Sequence, residues 1–116
     1  MENKPATWQD RFGLTSCSAQ AIATAIPATA QGVAVIYAKT EAGEKIILVL
    51  ESRTSGLRSQ CEKRLQSGKL PATEQLTIAF KSELLPDASP EAIHASCREQ
   101  VIFAGELRRE LRPAMR

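Results

Sequence analysis

The sequence predicts an α+β fold, a small and mainly antiparallel three-stranded sheet flanked by helices. Three observations carry that expectation. Residues 32–38 (Gly-Val-Ala-Val-Ile-Tyr-Ala) and 45–50 (Lys-Ile-Ile-Leu-Val-Leu) are β-branched and aliphatic runs too short for ordinary helices. Residues 75–81 alternate Leu76, Ile78 and Phe80 with Thr77, Ala79 and Lys81, the period of a strand with one buried face. From Ser89 onward, Ile93, Cys97, Val101, Ala104, Leu107 and Leu111 recur every three or four places, which predicts one long amphipathic helix.

In chain order, residues 1–31 read as a lead-in in which Trp8, Phe12 and Leu14 pin the segment to the sheet. The alanine-rich stretch 18–26 stops at Pro27, as a short helix would. The first two strands are joined by the short polar link Thr40, Glu41, Ala42, Gly43 and Glu44, so a hairpin is the simplest connection. Both faces of these strands are apolar, which calls for cover on each side. Leu57, Cys61 and Leu65 then form a single helical stripe, with a Ser or Thr available as N-cap and Gly68 as a stop. Arg58, Glu62, Lys63 and Arg64 lie opposite that stripe. Gly68 and Pro71 punctuate the loop to the third strand. After the loop at 86–88, Ser89-Pro90 is the pairing expected for an N-cap followed by proline in the first turn. Gly105 costs that helix about 1 kcal/mol relative to alanine.

At 116 residues, with 24% charged and 43% hydrophobic side chains, the chain has the size and composition of a single globular domain, a lead-in (1–31) and a core (32–112). A formal charge of +2 does not by itself argue for nucleic acid. Its distribution says slightly more, because Arg53, Arg58, Lys63, Arg64 and Lys69 gather around the first main helix and Arg108, Arg109, Arg112 and Arg116 at the end. This reads first as a solvated helix face and a C-terminal turn whose cations oppose the helix dipole. No run reaches the length of a membrane span, and Met1 to Pro5 lacks a signal-peptide pattern, so a cytoplasmic location without membrane contact is expected. Cys17, Cys61 and Cys97 are odd in number and far apart, which suits neither a disulfide framework nor a zinc knuckle. Cys61 and Cys97 are read as packing residues and His94 as a surface side chain.

Several of these features together resemble the GIY-YIG nuclease domain. A glycine-led first strand, a hairpin, a second strand ending in a small polar pair, and a helix carrying Arg58 follow that order. Gly32-Val33-Ala34 falls where the family writes Gly-Ile-Tyr, and Leu48-Val49-Leu50 where it writes Tyr-Ile-Gly. Arg58 coincides with the family arginine, and Glu99 with the carboxylate that holds its divalent metal. The resemblance implies a phosphate-steadying role for Arg58 and a metal-ligand role for Glu99. It spans nearly the whole chain, through individually weak motifs.

The departures are as informative. Both motif tyrosines are replaced, by Ala34 and Leu48, and the second motif glycine by Leu50; Glu62 stands where a histidine or tyrosine is common, and Arg116 where an asparagine is expected. Phosphodiester hydrolysis needs an in-line nucleophile and stabilisation of the developing charge. Alanine and leucine supply neither a proton acceptor nor a donor. Tyr37 lies three residues from Ala34, an odd offset that sends the two to opposite faces unless a bulge intervenes. Glu51 is a candidate displaced carboxylate, and an i,i+4 pair with Glu62 would occupy Arg58.

The reading is therefore a catalytically degenerate GIY-YIG-like domain that is non-enzymatic and binds nucleic acid, through Arg53, Arg58, Lys63 and Arg64, or a protein partner. No cofactor is expected, and magnesium only if nuclease activity is retained. Two alternatives stand beside it. One is a divergent nuclease using Arg58, Glu99 and magnesium. The other is a protein-interaction or dimerisation module with an apolar patch around Leu48 and Leu50. The sequence leaves the oligomeric state open.

Overall fold

The computed structural model describes residues 8–41, 43–52, 56–67, 70, 76–85 and 89–114. In chain order the elements are α1 (Trp8–Arg11), β1 (Thr15–Ser18), a 3₁₀ turn (Ala19–Ala21), α2 (Ile22–Ala25), β2 (Gln31–Thr40), β3 (Gly43–Glu51), α3 (Leu57–Gln66), β4 (Leu76–Glu83) and α4 (Pro90–Leu111). They form an α+β domain around a four-stranded sheet of order β1-β4-β2-β3, antiparallel throughout. The expected three strands correspond to β2, β3 and β4. The fourth, Thr-Ser-Cys-Ser, has no apolar alternation to announce it, and it forms because its backbone pairs with residues 77–80 of β4.

The two faces of the sheet have separate covers. Ala34, Ile36, Leu48, Leu50, Ile78 and Phe80 pack with Ile22 and Ile26 and with Leu57 and Cys61 of α3. Val33, Val35, Tyr37, Val49 and Ala79 pack instead with Leu14 and with Ala104 and Leu107 of α4. The cover expected on both sides of the hairpin is thus present. β4 departs from the one-faced expectation, because Ala79 is buried against the α4 side while Ile78 and Phe80 are buried against the other.

A register shift between Ile36 and Tyr37 leaves Ile47 as an extra residue on β3. The irregularity puts the consecutive Ile47 and Leu48 in the same core, while Ile46 and Val49 serve the opposite one. Because the extra residue is on β3, β2 keeps its alternation, and Ala34 and Tyr37 do face opposite ways.

The junction before α3 is tightly drawn. The Gly32 N–H donates to the Ser52 hydroxyl at 3.0 Å, and the Ser52 N–H donates back to the Gly32 carbonyl at 2.8 Å. The N-cap of α3 is Gly56, at φ 89°, rather than the expected serine or threonine. A side chain there would meet the Ala28 carbonyl oxygen at 2.9 Å, so the approach of two backbones selects glycine over a capping side chain. Thr54 and the expected stop at Gly68 lie outside the described residues.

In α4 the expected cap is present, with the Ser89 hydroxyl accepting from the Ala92 N–H at 3.2 Å. The inward stripe is turned relative to expectation. Ser96, Ala104 and Leu107 are buried, Phe103 packs on Phe12, and Val101 is 52% exposed. The spacing of Val101 suited a stripe centred on Cys97 and Ala104, but the inward side is centred nearer Phe103, Ala104 and Leu107, which pack with Phe12, Leu14 and the facing side chains of β2 and β3.

Candidate functional site

Arg58 lies on the first turn of α3, with its side chain about one-third exposed. Its Nη1 donates to the Ala23 carbonyl at 3.3 Å, and its Nε pairs with Glu62 Oε1 at 3.4 Å. The i,i+4 pairing foreseen from spacing is therefore formed, and the guanidinium also staples α3 to the end of α2. Lys63 and Arg64 are exposed on the last turn of α3, and Arg53 lies outside the described residues.

Glu99 stands on the other side of the sheet. It is exposed on α4 and lines a cavity of about 190 Å³ with Gln31, Lys81, Glu83 and Gln100, among others. Since α3 covers one face and α4 the opposite one, the strands separate Arg58 from Glu99. The two remnant positions do not open on a common cleft. The donor set around Glu99 does not fit a divalent cation either. The Lys81 ammonium shares the cavity, and among the described residues no three His, Cys, Asp or Glu side chains gather.

The other acidic and aromatic candidates have structural duties. Glu51, only 12% exposed in its side chain, pairs with Arg108 of α4 at 2.6 Å, and the same guanidinium nitrogen donates to the Val49 carbonyl at 3.0 Å. Arg108 thereby ties α4 to the outer edge of β3. Further along that edge, the Ala114 N–H donates to the Ile46 carbonyl at 3.1 Å. The Tyr37 phenol is buried and accepts from Gln9 Nε2 at 3.0 Å, with Ser16 Oγ 3.4 Å away. Trp8 meets the Tyr37 ring edge-on at 5.3 Å and donates to Glu44, so it pins the leading segment as its position suggested.

Leu48 and Leu50, where an exposed apolar patch was expected, are 1% and 5% exposed and belong to the core beneath α3. Exposed apolar surface appears instead on α4. Val101 and Ile102 are 52% and 66% exposed, and with His94, Cys97 and Arg98 they line a shallow groove of about 500 Å³. The isolated signal for this in the sequence was the adjacency of Val101 and Ile102, since two neighbouring helical positions cannot both face inward along one narrow stripe.

Burial pushes the Cys61 thiol up to about 12, with smaller contributions from Cys17 and Glu62, and burial raises Cys17 as well. Cys61 behaves as core, the reading its stripe position gave.

No family model, curated protein or solved structure matches the chain. Among the described residues no helix is long and apolar enough to cross a membrane.

Proposed function

We propose that this chain is a non-enzymatic interaction module whose docking surface is the outward side of α4. The observation that carries this reading is the placement of Arg58 and Glu99 behind opposite faces of one sheet. A metal-assisted phosphodiester cleavage needs its cation and its phosphate contact at one reacting centre. A sheet between them denies that. Arg58 is engaged with Ala23 and Glu62, while two large aliphatic side chains of α4 stand in solvent. With Leu84 they are the exposed large apolar side chains among the described residues, and adjacent apolar side chains on one helix are a surface that a protein partner can cover.

The test is incubation with single- and double-stranded DNA and RNA in magnesium or manganese. No cleavage is expected. Cleavage that disappears in Arg58→Ala or Glu99→Gln would overturn the reading. A nucleic-acid-binding version draws on the exposed Lys63 and Arg64 of α3. It requires a mobility shift that weakens with salt and on neutralising those two residues.

A further inference from the structure

Along the outward side of α4 the spacing of one row of residues is symmetric about its midpoint, and the charge at its two ends is opposite. Glu91, Ala95, Arg98, Ile102, Gly105 and Arg109 are spaced alternately by four and three residues, the seam of a packed helix pair. They lie opposite the buried Ala104 and Leu107. Apart from the half-buried Ala95 and Gly105, these residues are exposed. The level of Gln100, whose own side chain is turned toward the cavity beside Gln31 and Lys81, is the midpoint of the seam. Reflection through it exchanges Glu91 with Arg109, Ala95 with Gly105, and Arg98 with Ile102.

We infer that this face binds a second copy of the chain, with the two α4 helices antiparallel about a two-fold axis near Gln100. The inference rests on the interaction-module reading and names its partner. A two-fold interface must be self-complementary, so that each residue meets its counterpart equally far beyond the midpoint. Glu91 of one copy then faces Arg109 of the other at both ends of the seam. Ala95 faces Gly105, and beyond the Gly105 α-carbon there is open space, with nothing within 4 Å of where a Cβ would stand. The two helices can therefore approach closely at that level.

At the centre, Ile102 receives the aliphatic stem of Arg98 from the second copy. Glu99 and Glu106 lie three and four residues from Ile102 on the same helix, and both are exposed. The incoming Arg98 guanidinium thus meets carboxylates rather than another cation. Val101, 52% exposed beside the seam, widens the apolar strip.

Charge complementarity is what selects this partner and orientation. Parallel helices would set Glu91 against Glu91 and Arg109 against Arg109. The antiparallel arrangement places unlike charges at both ends and also opposes the helix dipoles favourably. The pairing of small residues in one layer and a large aliphatic with an arginine stem in the next fills the seam without a clash.

Sedimentation equilibrium on the full chain, from micromolar to near-millimolar concentration, tests this. The weight-average mass is expected to rise from the 12.6 kDa monomer toward twice that value. Ile102→Glu should weaken association by about tenfold or more. Gly105→Leu should do the same while the helix, judged by circular dichroism, remains folded, because the position is open and leucine favours helix more than glycine does. Glu91→Arg and Arg109→Glu should each weaken the dimer several-fold, and their combination should restore it. A chain that stays monomeric throughout, a dimer indifferent to Ile102→Glu and Gly105→Leu, or a charge swap that fails to rescue would each overturn the inference. A monomer that also fails to cleave nucleic acid removes the second copy alone and leaves the module reading standing. Cleavage dependent on Arg58 removes the module reading whatever the mass.

Discussion

Gly32 leads the first motif of the GIY-YIG resemblance, yet its environment supplies a structural reason for glycine that involves no chemistry. A Cβ built there would stand 1.9 Å from the Lys81 carbonyl oxygen and 2.9 Å from both the Lys81 carbonyl carbon and the Ser82 Cα. Carbon and oxygen tolerate approach to about 3.3 Å. In Gly32→Ala the β2 and β4 backbones must therefore part by more than about 1 Å, since none of the obstructing atoms belongs to a flexible side chain. The strain falls where Gln31, Gly32 and Val33 pair with Glu83, Ser82 and Lys81, and it also disturbs the reciprocal bonds between Gly32 and Ser52. Losing two or three such bonds at about 0.5–1.5 kcal/mol each costs about 1–4.5 kcal/mol. Reduced freedom of the unfolded chain returns only about 0.4–1 kcal/mol. The middle of the range for the lost bonds leaves a net loss of about 2 kcal/mol, a large share of the roughly 5–15 kcal/mol that a domain possesses. Urea denaturation monitored by circular dichroism reads it as a lowered midpoint at unchanged slope. Gly105→Ala is the control, because open space and a helical backbone predict a gain of up to about 1 kcal/mol from the same chemical change. A midpoint for Gly32→Ala equal to or above that of the parent would refute the argument from close approach.

Two further outcomes follow from the arginines and the buried thiol. Arg58→Ala should cost about 1 kcal/mol or less, because its contacts are partly solvated, whereas Arg108→Ala should cost about 2–3 kcal/mol by leaving the largely buried Glu51 carboxylate without that cation. Denaturant midpoints of the two variants in the reverse order would contradict these roles. Cys61, raised from 9.0 to about 12, holds its proton in the fold after the unfolded chain has lost it, so stability is fully present below pH 9 and declines as pH rises toward 12. The slope is about 1.4 kcal/mol per pH unit over that window, and comparison of the parent with Cys61→Ala isolates it. An identical pH dependence in both proteins would show that the thiol does not contribute.

Contacts between neighbours along the chain account for the elements that could be read in advance. The strands of the hairpin, the alternating third run, the Ser89-Pro90 start of the long helix and the Arg58–Glu62 pair all follow from spacing within one or two turns. Cys61 as core and Trp8 as a pin are legible for the same reason, since residue type and local stripe agree. Which side of the sheet each helix covers was settled by long-range packing. Hydrophobic periodicity gives a helix an inward face without saying which layer it joins, and that choice divided Arg58 from Glu99. Pairing with β4 likewise made a strand of the polar segment Thr15–Ser18, whose stabilising bonds come from residues about sixty positions away. The turn of α4 that left Val101 in solvent is likewise tertiary, since Ala104 and Leu107 pack with Leu14, Val33, Val35 and Val49, contacts that no local pattern encodes.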